Sequence, residues 1–167
     1  MLAYCAGKSF RGILKALRVF PSQSGLLALI LELATLASEL AGIVNRAGGR
    51  LLLVGGTVRD LLLGQVPGEI DAEVSGLQTD QLTSLLSAKF PVEEIGKSFG
   101  VLKVKGLPIE LSLPRTERKT GNGHKGFTVE VAPNLSFPKA SERRDFTCNA
   151  LGLDPLSGEL IDPHQGP

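Results

Sequence analysis

Val54-Gly55-Gly56-Thr57-Val58-Arg59-Asp60-Leu61-Leu62-Leu63-Gly64, followed closely by Glu69-Ile70-Asp71-Ala72-Glu73-Val74, is the stretch from which the fold of this chain can be read. Leu51 to Val54 is an apolar strand that runs into a Gly-Gly turn. A short helix, Thr57 to Leu63, opens behind the turn with Arg59 and Asp60 and stops at Gly64. Backbone N–H groups converge at such a turn and a helix dipole favours an anion, so the arrangement suits a phosphate. In the next strand Glu69, Asp71 and Glu73 alternate with Ile70, Ala72 and Val74. Alternation puts the carboxylates on one face and the apolar groups on the other. The acidic face repels itself unless a cation or a basic neighbour sits there. Divalent metals would neutralise it, and phosphoryl-type transfer uses a metal pair. On spacing alone, a solvent-facing polar strand face accounts for the same pattern.

Working outward, residues 26–47 have a helical apolar period and end at Gly48-Gly49. Residues 10–19 read as a short basic helix, separated from it by the breaker Pro21-Ser22-Gln23-Ser24-Gly25. After the acidic strand, Thr79 caps a helix reaching Ala88. Strands follow at Val92–Ile95, Val101–Lys105 and Ile109–Leu113, the last two joined by Gly106-Leu107-Pro108. Residues 114–126 combine proline and glycines with basic side chains and read as a mobile loop. Phe127–Val131 reads as a strand, Ser136–Arg144 as a helix, and 147–153 and 159–162 as short extended pieces. This order predicts an α/β or α+β fold, a mixed sheet covered by helices. We divide it into an N-terminal helical extension (1–48) and a main domain (49–167).

Composition fits an ordinary globular chain: 167 residues, 43% hydrophobic, net charge +1. No global field attracts nucleic acid, so any RNA contact rests on local patches. With no tryptophan and 5% aromatic residues, a base-stacking platform is disfavoured. Cys5 and Cys148 are too isolated for a disulfide framework or a zinc site, which fits a reducing, cytoplasmic setting. The most apolar run, Leu26 to Val44, is broken by Glu32 and Glu39, so no membrane partner is expected. Lys8, Arg11, Lys15 and Arg18 precede the first acidic residue. That composition resembles an organelle transit peptide, with a basic surface helix as the plainer explanation.

Arginine matches phosphate bidentately, which makes Arg59 a candidate for a triphosphate oxygen. Asp60 can pair with Arg59 or with a later arginine such as Arg144. A local surface ion pair is the plainer reading of Arg59 and Asp60. Arg115, Arg118, Lys119, His124 and Lys125 populate the glycine-bearing loop, either as an element that closes on a ligand or as a solvated charged loop.

Four ordered segments carry a resemblance. They are Gly55-Gly56-x-Val58-Arg59-Asp60-x-Leu62-Leu63-Gly64, Arg115-Thr116-Glu117-Arg118-Lys119-Thr120-Gly121, Arg143-Arg144-Asp145-Phe146-Thr147-x-Asn149-Ala150-Leu151 and Ile161-Asp162-Pro163. Over residues 50–166 the chain resembles the tRNA nucleotidyltransferase (CCA-adding enzyme) and bacterial poly(A) polymerase family, of the polymerase-β-like superfamily. The resemblance implies a catalytic head that transfers nucleoside monophosphate from CTP or ATP to an RNA 3′ end, with Mg²⁺ as cofactor and tRNA as the expected acceptor. It places Glu69 and Asp71 at the metal pair, where the family has Asp-x-Asp, and Glu110 at a third acidic position. Gly55, Gly56, Arg59, Asp60, Arg144, Asp145 and Asn149 fall at nucleotide-binding positions. Arg115, Arg118, Lys119 and Lys125 fall in the flexible loop near the RNA. Glu73 reads as supporting the metal pair or as structural rather than as a ligand. Family members continue into helical neck, body and tail domains, so this chain reads as the head of a longer enzyme. A poly(A) polymerase head is the nearest enzymatic rival, and a truncated or degenerate, non-catalytic nucleotide- or RNA-binding fragment is the rival of a different class.

Overall fold

The computed structural model describes residues 24–95, 100–119 and 127–165. The expected basic helix at 10–19 lies outside them. Helix α1 (Ser24–Arg46) forms because Ile30, Ala34, Ala37, Ala41 and Val44 recur every three or four residues and share one buried stripe. It ends where Gly48 takes φ 86° and Gly49 N–H bonds back to the Val44 carbonyl at 3.0 Å. β1 (Arg50–Val54) follows directly and packs against it.

A seven-stranded mixed sheet forms the centre, in the order β3-β4-β5-β2-β1-β8-β9. Its strands are β2 (Ile70–Ser75), β3 (Val92–Ile95), β4 (Val101–Val104), β5 (Ile109–Ser112), β8 (Gly152–Leu153) and β9 (Leu160–Ile161) beside β1. β2 lies between β1, antiparallel, and β5, parallel. Helix α2 (Gly56–Leu62) joins β1 to β2, and α3 (Thr79–Ser87) joins β2 to β3. Register sorts the side chains. Leu51, Leu53, Ile70, Ala72, Val74, Ile109, Leu111, Leu102 and Val104 form one apolar face, which merges with the α1 stripe and with Leu82 and Leu86 of α3. Burying each such leucine is worth about 1.5–3 kcal/mol, which anchors the sheet centre. The opposite face carries Asp71, Glu73, Glu110 and Lys103.

Three local expectations are corrected. Arg115–Lys119, expected within a loop, is a strand (β6) that pairs antiparallel with β7 (Phe127–Val131). Local charge argued for a loop, but β7 needs a partner for its backbone groups and the preceding segment supplies it. The helix expected at Ser136–Arg144 is only α4 (Phe137–Ser141). Arg144 N–H bonds to Ser141 O at 3.0 Å, a three-residue closure that tightens the chain instead of extending the helix. Residues 147–149, expected to be extended, form a single 3₁₀ turn before β8.

Candidate functional site

The polar end of the sheet gathers the C-terminus of β1 and the first residues of β2, β5 and β8. Leu53 pairs with Ala72 on one side and with Leu153 on the other, and Asp71 pairs with Glu110. Four distant pieces of sequence are thereby fixed side by side on neighbouring strands.

Gly55 caps α2 at φ 63° and ψ −137°, a conformation open essentially to glycine. A Cβ built there would lie 3.0 Å from Arg144 Nη1 and 3.6 Å from Asp71 Oδ2. A Cβ on Gly56 would lie 3.3 Å from Arg59 Nη2. Two guanidinium groups thus border the Gly-Gly turn. Arg59 is held in place: Nε donates to Asp60 Oδ1 at 2.9 Å, and Nη1 donates to Asn149 Oδ1 at 2.9 Å. Asp60 therefore pairs with Arg59, the first of its two expected partners. The bracing comes from two elements, α2 itself and the 3₁₀ turn that carries Asn149, and it leaves other guanidinium N–H groups for an anion.

Thr57 builds the acidic side. Its buried hydroxyl donates to the Glu69 carbonyl at 3.2 Å and accepts from Asp71 N–H at 2.8 Å. It clamps the start of α2 to the start of β2 and so sets Asp71 beside the turn. Glu69 lies in the bend before β2 rather than within the strand. Its side chain accepts from Lys103 Nζ at 2.9 Å, and Lys103 also faces Glu110 at 3.6 Å. The hydrogen bond and charge of Glu69 hold the Lys103 ammonium above its usual range. Asp71 is held above the usual carboxylate range by burial first, then by the charges of Glu69 and Glu110, against the pull of Arg144.

Glu73, expected on an open acidic face, is only 4% exposed. Its Oε2 lies 3.8 Å from Arg144 Nη2. Burial raises its pKa, opposed by the charges of Arg144, Arg143 and Arg115. Glu73 is thus an interior counter-charge on the arginine side of the site.

Asp145 is exposed and lines an open cavity of about 250 Å³ with Arg144, Phe146, Thr147 and His164. His164 ring nitrogen Nε2 lies 2.9 Å from Ser141 Oγ. Arg115 opens β6 with a buried Nε, and Arg118 and Lys119 belong to the same strand rather than to a loop. His124 and Lys125 lie outside the described residues. Sequence reasoning missed Thr57 and Lys103. Counting across the Gly106-Leu107-Pro108 hairpin would have placed Lys103 opposite Glu110. Nothing in the sequence signals the two bonds of Thr57.

Among the described residues no three His, Cys, Asp or Glu side chains group closely enough to hold a metal ion by themselves. Mg²⁺ bound with a nucleotide needs only one or two carboxylates, since waters and phosphates complete its shell. Asp71 and Glu69 supply oxygen donors two residues apart, and beyond the effect of burial the neighbouring charges of Glu69 and Glu110 hold the Asp71 carboxyl up, a repulsion that a cation would relieve. The donor set therefore fits a divalent metal shared with a triphosphate.

Residues 51–167 match the profile of the poly A polymerase head domain. The multifunctional CCA protein of Xanthomonas campestris pv. campestris (strain B100) is 41% identical over 117 residues, covering 70% of this chain and 27% of that protein. That of Xylella fastidiosa (strain M23) is 41% identical over 114 residues, covering 68% and 26%. The chain thus spans about a quarter of the length of these relatives. Among solved structures, the Bacillus stearothermophilus CCA-adding enzyme in complex with CTP matches with a TM-score of 0.61 and 30% identity, over 78% of this chain and 29% of that one. A tRNA nucleotidyltransferase complexed with a primer tRNA and an incoming ATP analog matches with a TM-score of 0.56 and 29% identity, over 76% and 35%. No helix among the described residues is long and apolar enough to cross a membrane. With its Gly-Gly turn, acidic strand and Arg-Arg-Asp segment brought to one end of a mixed sheet, this chain belongs to the poly A polymerase head-domain family.

Proposed function

We propose that this chain is the catalytic head of a cytoplasmic RNA nucleotidyltransferase that adds CCA nucleotides to tRNA 3′ ends, using CTP and ATP without a template. The observation that carries the reading is the meeting of Arg144 and Asp71 at the Gly55 turn, at 3.0 and 3.6 Å from where a Cβ would stand. The CCA proteins and CCA-adding enzymes among its relatives support tRNA as acceptor.

In this reading Gly55 and Gly56 let the triphosphate approach the backbone, and Arg144 and Arg59 hold its oxygens. Asn149 and Asp60 keep Arg59 in position. The cavity beside Arg144, lined by Asp145, Phe146 and Thr147, receives the rest of the nucleotide. Asp71 and Glu69 hold Mg²⁺, with Glu110 as the third carboxylate. Bound Mg²⁺ supplies Lewis-acid neutralisation of the phosphates and lowers the pKa of the attacking 3′-hydroxyl. The α-phosphorus gains a bond to the RNA 3′-oxygen, whose proton leaves to solvent, and loses its bond to the bridging oxygen, releasing pyrophosphate. No covalent enzyme intermediate is needed, because positioning and charge stabilisation suffice. Arg115, Arg118, Lys119 and Lys125 are assigned to the RNA side.

The test is primer extension with Mg²⁺, a tRNA lacking its 3′ end, and labelled CTP or ATP in separate reactions. Incorporation that vanishes in Asp71→Ala supports the assignment, and CTP acceptance separates CCA addition from polyadenylation. Incorporation that survives Asp71→Ala refutes the metal role of Asp71.

A further inference from the structure

The acidic cluster contains a cation of its own. Lys103 on β4 lies opposite Glu110 on β5, and its ammonium bonds Glu69 at 2.9 Å while facing Glu110 at 3.6 Å. The lysine thus bridges two of the three carboxylates assigned to the metal, and Asp71 is the one outside the bridge. A lysine ammonium is a compact point charge, suited to sit between two carboxylates much as a metal would. Glu69 makes the bridge by a side chain one methylene longer than aspartate, projecting from the bend before β2. Lys103 occupies Glu69 Oε1, so a divalent ion that recruits Glu69 competes with the ammonium for that oxygen and meets its charge.

We infer that Lys103 is a positioning residue that withholds Glu69 and Glu110 from free divalent cations, so that metal is admitted together with the triphosphate. The triphosphate brings the oxygen ligands that Asp71 alone cannot supply. Without nucleotide, the lysine offsets part of the cluster's negative charge and keeps the metal affinity lower than the carboxylates alone would give. The inference rests on the assignment of Glu69 and Asp71 to metal, and its test separates the two.

The measurement is Mn²⁺ binding to the full chain without nucleotide, followed by the paramagnetic resonance signal of free Mn²⁺. Wild type is compared with Lys103→Met, Lys103→Arg and Asp71→Asn. Lys103→Met should bind Mn²⁺ roughly fivefold more tightly than wild type, the scale of one exposed charge pair. Lys103→Arg, which keeps the charge, should stay near wild type. Thermal melts control for folding, since Lys103 is 40% exposed and its replacement leaves the core intact. Equal Mn²⁺ affinity in wild type and Lys103→Met, lost in Asp71→Asn, would overturn the role of Lys103 and leave the metal assignment standing. Binding in neither wild type nor Lys103→Met would overturn both.

Discussion

Replacing Gly55 by alanine tests the phosphate turn directly. Gly55 holds φ 63° and ψ −137°, close to the first central position of a type II′ turn. An alanine forced there is strained by roughly 1–3 kcal/mol. Its Cβ would stand 3.6 Å from Asp71 Oδ2, an ordinary contact, and 3.0 Å from Arg144 Nη1, inside contact distance. The guanidinium is the tip of a long side chain and can withdraw, so the clash adds little to the backbone strain. Withdrawal, however, moves the group assigned to the phosphate. A charge-assisted hydrogen bond is worth about 1.5–3 kcal/mol, or about 10- to 100-fold in affinity. Gly55→Ala should therefore melt several degrees lower and bind CTP with Mg²⁺ about 10- to 100-fold more weakly, measured by calorimetric titration beside a thermal melt. Gly48→Ala is the control: Gly48 has φ 86° with nothing within 4 Å of its Cβ position. It should lose stability through backbone strain and keep its CTP affinity. A folded Gly55→Ala that binds CTP like wild type would refute the placement of the phosphate, as would an equal loss in Gly48→Ala.

Three further outcomes follow from the same geometry. Thr57→Val keeps the shape but leaves Asp71 N–H without its 2.8 Å acceptor; it should destabilise by about 1–3 kcal/mol in urea unfolding, and Thr57→Ser should restore most of it. Glu73→Leu removes the buried carboxylate 3.8 Å from Arg144; it should cost about 3–5 kcal/mol, and a cost well under 1 kcal/mol would show that Arg144 is balanced elsewhere. Asp71→Asn should raise the melting temperature of metal-free protein in chelator at neutral pH, because the folded state there holds a carboxylate whose pKa it has raised. The carboxyl favours folding when protonated, so wild type should gain on the variant as pH falls through the raised folded value towards the ordinary 3.8. A wild type that melts above Asp71→Asn at neutral pH in chelator would contradict the sign.

The parts of the site that lay in one continuous stretch were legible. Alternation from Ile70 to Val74 and the glycines at 55 and 56 are local, and β2 and the α2 turn form where local pattern puts them. What was not legible depends on register. Glu73 reads like Asp71 by alternation, yet it lies one pleat deeper and is buried, because the arginine-bearing segment before β8 comes over it. β6 was hidden by its charges, which say nothing about its neighbour on the sheet. The end of α4 was hidden because Ser141, a buried side chain, turns its hydroxyl back to the Pro138 carbonyl at 2.9 Å where an extended helix was expected.

The sheet order gives this clustering a physical rationale. A carboxylate pair beside a Gly-Gly turn is unfavourable unless something fixes it, and β2 is the strand best able to do so. It is bonded on both sides, by β1 and β5, and its other face is fully buried. Each neighbour brings a cation to one side of β2: β5, through its own partner β4, brings Lys103 to Glu69, while β1, through β8, brings the segment carrying Arg144 to Glu73. Asp71 lies between these two cations on the same strand face, and its pKa is still raised. Burial, joined by the charges of Glu69 and Glu110, outweighs the pull of Arg144 on Asp71 at the edge of the Gly-Gly turn. In the proposed mechanism a divalent ion arriving with a triphosphate would meet Asp71 there, and the core behind β2 supplies the stability that lets the strand keep that charge in place.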